Sequence, residues 1–593
     1  MKKYIIPAFY LSCVATSVMA NTASPLGSNV YIFDPSMKVS DINKTISDIY
    51  NQQRFNEFGD NRYAFLFMPG KYGDTENVDV KVGYYTHVLG LGATPNDVII
   101  KGAVRTQDAP PGDRNHPEQG PGALTNFWRG MENLAIMPTL GSMSYPDAVP
   151  KDQNVWAVSQ ATFLRRIRIL QGSLRLYDLG YASGGYIADS RIDNSIISGT
   201  QQQWLTRNSN FKNWQGSNWN MVFSGVNGSI PAGTWPNPPY TIVEKSPIVK
   251  EKPFLYYDTT SNQIALKLRT LRKNVAGTDW HITEGTSIPL SSAYIAKPGA
   301  SAADINQALT QYKYIIITPG VYHLSDTIQV TKPNTVIYGL GLPSLVSDTG
   351  KPAIAVSDVD GVQLSGILFD AGQTMGTNLL EVGPTGSTLS HAKNPTFLHD
   401  IFCRVGGMNH QSQTKNCVTI NSNDVVGDNL WFWRADHGNN VGWNNNKGET
   451  GIIVNGKNVM AYNLMVEHFQ KYQTIWNGDN GRVFEYQSEP PYDVPSQEQW
   501  KNGNKNGFAS YKIGDSVNTH QALGLGVYNY FRDGDNVYLD SAIEAPVNKQ
   551  IDLQHMILFW LSGNNNTGIK HVVNNVGNGV SPANRRSDLS KWP

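Results

Sequence analysis

The sequence predicts an all-β protein built as two tandem solenoid units, each opened by a short capping helix. Three observations predict it. Four short blocks of the first half recur, in order, in the second half. The segments that follow each set of blocks repeat an alternating apolar pattern at intervals of about thirty residues, the length of one solenoid coil with its loop. The composition is turn-rich and poor in charge: 16 % of residues are charged, with 55 Gly and 28 Tyr among 593, against about 25 % charged in ordinary globular domains. A chain of this length outgrows the usual single core, but stacked coils grow without inflating one.

From the N-terminus, MKKYIIPAFYLSCVATSVMA carries Lys2 and Lys3, a short apolar run over 4–17, and the small-residue site Val18-Met19-Ala20. This predicts a secretory signal peptide over 1–20, cut after Ala20. Export to the periplasm or the medium follows. No later stretch approaches the ~18 consecutive apolar residues of a membrane span. Net charge is zero, which argues against nucleic acid or an anionic membrane surface as partner. Cys403 and Cys417 remain after processing, and the spacing alone leaves a disulfide between them open. No Cys/His spacing resembles a zinc site, and neither metal nor cofactor is expected.

The first unit then reads Val30-Tyr31-Ile32, SDIN (40–43), FLFMPGKY (65–72) and HVLGLG (87–92). The second reads Ala293-Tyr294-Ile295, ADIN (303–306), IIITPGVY (315–322) and VIYGLG (336–341). Spacing agrees once an insertion around RFNEFGDNRY (54–63) is allowed. SDIN and ADIN open amphipathic helices, with Ser40 or Ala303 near the cap and Ile42 and Ile305 beginning the apolar face. FLFM and IIIT are continuous apolar runs, as strands buried on both sides require. Pro-Gly turns the chain. Coils follow, centred on Ile367, Ile401, Leu430 and Leu464 in the second half, with Asn at corners suited to stacked ladders. Residues 225–260 read as a long connection.

Helix, strand, Pro-Gly-x-Tyr, strand and Gly-x-Gly resembles the N-terminal cap of right-handed parallel β-helices of the pectate-lyase-like type. Two caps in one chain resemble glycoside hydrolase family 55, the tandem β-helix exo-β-1,3-glucanases. The resemblance implies two tandem right-handed parallel β-helices, over 21–260 and 261–593, with the active site in the second. It implies a secreted glycoside hydrolase acting on a neutral polysaccharide such as a 1,3-linked glucan. The chain is more distantly similar to the family 87 α-1,3-glucanases, but their adjacent Asp-Asp pair is missing here.

The densest polar and aromatic stretch is 423–493. Glycoside hydrolysis needs one carboxyl as acid and one as base or nucleophile, while aromatic rings stack on sugars. Asp436 in WRADHG, Glu467 in VEHFQKY and Glu489 in QSEPPYD are the candidate catalytic acids. Trp431, Trp433, His437, Trp443, Tyr472, Trp476, Gln487 and Tyr492 are the candidate substrate-binding residues, with one of Trp431 and Trp433 expected in the core and one exposed. QQQWLTRNSNFKNWQGSNWNM (201–221) is a second candidate surface. The bland alternatives are an Arg434–Asp436 pair holding a turn, a solvated turn acid at Glu467, a polar loop stiffened by prolines at Glu489, and rings that merely pack between coils. Two other functions compete: a polysaccharide lyase, which needs Ca²⁺ or basic groups to neutralise a uronate, and a non-catalytic glycan-binding adhesin. The protein is expected to act as a monomer on a polysaccharide.

Overall fold

A computed structural model describes residues 25–107, 122–281, 284–548, 550–563 and 566–593. The expected signal peptide, 1–20, lies outside them. Two stacks of parallel strands fill the chain. Strands from Val30–Phe33 to Tyr240–Val243 form the first, a 17-stranded sheet. The second runs from Tyr294–Ala296 to the C-terminus as a 13-stranded and a 9-stranded sheet. Both are parallel β-helices, and the last strand, Arg586–Trp592, closes the second by pairing antiparallel.

The duplicated blocks are the caps. Helix α1 spans Val39–Gln53 and α2 spans Ala302–Gln311. Their N-caps, Lys38 and Ser301, precede the SDIN and ADIN blocks; Ser301 accepts a hydrogen bond from the Asp304 amide, and Asp304 answers it in a capping box. Buried Ile42, Ile46 and Ile49, and Ala302, Ile305 and Leu309, face the open end of each coil. The Tyr of Pro-Gly-x-Tyr has the same task in both copies. The Tyr72 hydroxyl donates to the carbonyls of Phe33 and Met68 at 2.9 and 2.8 Å. The Tyr322 hydroxyl donates to Ala296 and Thr318, both at 2.9 Å. Each staples the first strand to the turn beside it.

In the second unit seven strands stack along one face: β1 (Gln363–Ala371), β2 (Thr396–Val405), β3 (Val425–Arg434), β4 (Met460–Glu467), β5 (Gly481–Glu489), β6 (His520–Asn529) and β7 (Ile551–Trp560). Ile367, Ile401, Leu430 and Leu464 are register partners inside the coil. The Asn corners form ladders: the Asn455 amide donates to Asn421 at 2.8 Å and Asn477 to Asn455 at 2.9 Å. Cys403 and Cys417 form a disulfide across one coil. The expected connection is shorter than 225–260, because Asn227–Ser229 and Tyr240–Val243 still pair within the first sheet. No helix among the described residues is long and apolar enough to cross a membrane.

The outer faces of the two units pack against one another. Phe127, Trp128, Phe163 and Tyr186 of the first meet Phe402, Trp431, Trp433 and Met465 of the second. A buried ion network runs through this seam. Arg165 reaches Asp400 at 2.8 Å and Asp428 at 3.0 Å. Arg207 reaches Asp428 at 3.0 Å and Glu251 at 2.7 Å. Lys252 pairs with Asp400 and with Glu132. Burial raises the Asp428 pKa, but Arg207 and Arg165 more than offset it and hold the group well below the usual carboxylate range. Removing one partner strands the other charges in a dry interior, which costs about 3–5 kcal/mol. We therefore expect Asp428→Asn to lower unfolding stability by that order in denaturant titration. Because the folded pKa is depressed, the wild-type advantage is full above the unfolded value of about 3.9 and fades as pH falls through the folded value. A variant as stable as wild type at neutral pH contradicts this role.

Candidate active site

The ends of β3, β4 and β5 place Trp433, Glu467 and Glu489 side by side as register partners. Parallel neighbours stand about 4.8 Å apart, so the two glutamates are held close by the backbone itself. Past β3 the chain turns out of the sheet through Ala435, Asp436 and His437. A cavity of about 140 Å³ opens there, at the seam. The second unit lines it with Trp433, Asp436, His437, Glu467, His468, Glu489, Tyr492 and Leu561; the first adds Leu124, Thr125, Phe127, Gln160, Ser183 and Gln202.

The acids differ in environment. Glu467 Oε1 accepts from the Gln160 amide at 2.8 Å and Oε2 from the Trp431 indole at 2.9 Å. Gln160 in turn accepts from the Ser183 hydroxyl at 3.1 Å. Burial pushes the Glu467 carboxyl up to about 7, against its hydrogen bonds from Trp431, Gln487 and Gln160 and with help from the charge of Asp436. Glu489 accepts from Gln487 at 3.2 Å and from the Tyr492 hydroxyl. Burial, and then repulsion from Glu467, drive its pKa well above the ordinary value. Two neighbouring carboxyls in a dry cleft resist ionising together, so the pair titrates as a unit. Asp436 goes the other way. Burial raises it, but the His437 ring, 3.0 Å away, offsets this with help from His468, and the group stays ionised.

His468 links the acids. Its Nδ1 contacts the Pro490 carbonyl at 3.3 Å. Its Nε2 stands 3.9 Å from Asp436 and 4.0 Å from Glu489. The site therefore presents one ionised carboxylate beside a pair that holds a proton near neutral pH, which is the raw material of acid/base catalysis.

All three expected acids share this cavity, and none is a loose turn acid. Arg434 does not pair with Asp436; it makes a two-pronged contact with Asp493 at 2.9 and 2.7 Å and anchors the corner. His437, Trp433 and Tyr492 line the cavity, and Gln487 sits behind the glutamates. Trp431 and Trp433 correct the expectation of one ring in and one out. Both lie on the seam face, stacked at 5.1 Å, and each is 1 % exposed because the first unit covers them. Trp476 is inside the coil core, 1 % exposed, and offers no face to a ligand. Trp443 and Tyr472 lie outside the lining. The Tyr472 hydroxyl accepts from Asn502 at 2.6 Å instead. Of 201–221, Gln202 reaches the cavity, while Trp204, Trp214 and Met221 are core. Sequence reasoning missed Phe127, Gln160 and Ser183, since nothing near them in the chain signals the distant acids. No cluster of His, Cys, Asp and Glu among the described residues could hold a metal ion.

We expect Glu467→Gln to lower the Glu489 pKa, because it removes the charge that repels a second carboxylate; carboxyl titration by infrared or NMR spectroscopy reads this. A Glu489 that titrates identically in the variant means that the two groups do not interact.

Comparison with known proteins agrees with the geometry. Residues 293–489 match the LAM55 pectate lyase-like domain, which ends on Glu489. An exo-β-1,3-glucanase of Streptomyces sp. (strain SirexAA-E / ActE) is 42 % identical over 560 residues, 94 % of this chain and 87 % of that protein. The solved structure of sacteLam55A from Streptomyces sp. SirexAA-E superposes with a TM-score of 0.89 at 40 % identity, over 96 % of this chain and 99 % of that one. A glutamate-to-alanine variant of the same protein, solved in complex with glucose, gives 0.88 at 40 % identity over the same shares. The chain belongs to glycoside hydrolase family 55: it is a glycoside hydrolase built on two tandem parallel β-helices.

Proposed function

We propose that the protein releases glucose from the end of β-1,3-linked glucan chains, with Glu489 as general acid and Glu467 as the base that activates water. The adjacent pair Glu467–Glu489 in the cavity lining, both held protonated more readily than ordinary carboxyls, carries this reading. The relatives that this chain matches supply the linkage. Cavity size supports action at a chain end. At about 140 Å³ it is well under the ~300–1,000 Å³ of pockets that take drug-sized ligands, and one sugar unit fills it. Glu467, Gln160 and Ser183 form a hydrogen-bonded row along one wall that can hold and polarise a water. Asp436, kept ionised, stabilises positive charge developing on the sugar ring. Trp433 and Phe127 supply the apolar wall, and His437 and Tyr492 complete the contacts, with Gln487 behind them holding Glu489.

A lyase needs a cation to neutralise a uronate, and the cavity lining contains no Lys or Arg. The neutral polymer is therefore preferred. The signal-peptide pattern and the Cys403–Cys417 disulfide both support export, since disulfides persist in oxidising compartments. We read the protein as a secreted monomer with its acids in the second unit, 261–593.

Incubation with laminarin tests the reading. Glucose should accumulate as new reducing ends without absorbance near 235 nm. Glu489→Gln should cut kcat by at least about 10²-fold while the fold persists, the low end of the range for a lost general acid. The kcat profile should be bell-shaped: rate falls on the acid side as the glutamate pair gains its second proton, and on the alkaline side as Glu489 loses its proton or His437 does, whichever goes first. Full activity in the Glu489→Gln variant removes the assignment.

A further inference from the structure

The insertion that breaks the duplication is the least explained part of the sequence. In the second unit α2 ends at Gln311 and the next strand starts at Tyr314. In the first, α1 ends at Gln53 and the strand starts only at Tyr63. The extra residues do not loop into solvent. They cross the seam to the corner of the second unit that carries Asp436 and His437.

Several contacts fasten them there. Arg62, fully buried, donates to the Gly59 carbonyl at 2.5 Å and to Ser344 Oγ of the second unit at 2.8 Å. The Glu57 carbonyl accepts from Tyr85 at 2.5 Å and from Arg404 at 3.4 Å. Phe58 stacks on Trp433 at 6.2 Å and meets His437 edge-on at 5.7 Å. Gly407 and Gly438 leave room for it: a Cβ would stand 2.1 and 2.7 Å from the Phe58 ring. The Glu57 side chain is 6 % exposed and contacts His437 Nε2 at 2.7 Å. Nδ1 of the same ring contacts Asp436 at 3.0 Å. One imidazole thus lies between two carboxylates, one from each unit.

We propose that Glu57 is a positioning residue for the reaction: by gripping Nε2 it keeps His437 a cation with both ring N–H groups donating, and so fixes the orientation and charge of Asp436 beside the Glu467–Glu489 pair. The proposal rests on the catalytic reading above and adds a residue from the opposite unit. A neutral imidazole has one N–H and cannot satisfy both carboxylates at once. Burial opposes the charge on His437, but Glu57 and Asp436 outweigh it and raise its pKa well above the ordinary value. The other ionisable groups facing this chain are His468, Glu489, Glu467 and Tyr492 around Asp436, Arg532, whose guanidinium donates to the Asp436 carbonyl at 3.4 Å, and Tyr84, Tyr85, Arg129 and Arg404 around Glu57. None of them replaces Glu57 at Nε2. Loss of Glu57 lets His437 shed its proton at lower pH, and Asp436 then loses its cationic partner on the alkaline side.

The test compares pH–rate profiles of purified wild type, Glu57→Gln, Glu57→Asp, Arg62→Ala and Glu489→Gln on laminarin. Glu57→Gln should lower kcat about tenfold with KM within about twofold, and move the alkaline limb down by about one pH unit. Glu57→Asp, which keeps the charge, should restore most of the limb. Arg62→Ala loosens the same insertion without touching His437; it should lower the melting temperature and leave the limb in place. A second measurement needs no variant. The His437 ring in the wild-type protein should titrate well above the usual ~6.5 by NMR, because Glu57 and Asp436 both hold its charge. A His437 that titrates near 6.5, or a Glu57→Gln profile that matches wild type or that of Arg62→Ala, overturns the proposal. An active Glu489→Gln enzyme instead overturns the catalytic reading on which it stands.

Discussion

The buried charge network between the two β-helices is the constraint on which the site depends. Arg165, Arg207 and Lys252 of the first unit and its connection meet Asp400 and Asp428 of the second with almost no access to water. Such a network is a weak source of net stability, because desolvation consumes most of the Coulomb attraction. Its effect is orientational. Charges that tolerate no misplacement allow one docking of the two stacks, while the apolar residues beside them would accept several. The cavity lies at the edge of that docking, its acids on one unit and its opposite wall on the other.

That division explains the electrostatics. A parallel β-helix alone presents its outer face to solvent, where Glu467 and Glu489 would be ordinary carboxylates. Covering that face with Phe127, Gln160 and Ser183 removes water and raises both groups. The same cover leaves Trp431 with its indole N–H aimed at Glu467. Asp436 escapes the rise because His437 sits against it, and His437 stays charged because Glu57 arrives from the other unit. Glu467 and Glu489 are tuned by a cover far from them in sequence, and Asp436 by its neighbour His437, which the distant Glu57 holds charged.

What the sequence displayed and what it hid follow from this. The caps were legible, because the helix face, Pro-Gly-x-Tyr and the paired apolar strands are local patterns whose hydrogen bonds close within a few dozen residues. The acids were legible as a set, because they end successive rungs and their spacing follows the coil. The tryptophans were misplaced, because whether an outward-facing ring is exposed depends on a second unit whose docking leaves no local mark. Arg165 and Asp400 are 235 residues apart, and neither stretch of sequence indicates the other. The insertion at 54–63 was visible only as a flaw in the repeat. Its purpose required knowing where the corner of the other helix would lie.

On the proposed function, one sugar unit occupies the seam cavity with its glycosidic oxygen facing Glu489. A crystal structure of the Glu489→Gln protein with laminaribiose tests this most directly. The proposed function predicts a sugar ring against the wall formed by Trp433 and Phe127, the linking oxygen within hydrogen-bond reach of the residue at 489, and a water on the Gln160–Ser183–Glu467 wall. Sugar bound on another surface, or seated here with its linkage turned away from position 489, contradicts it.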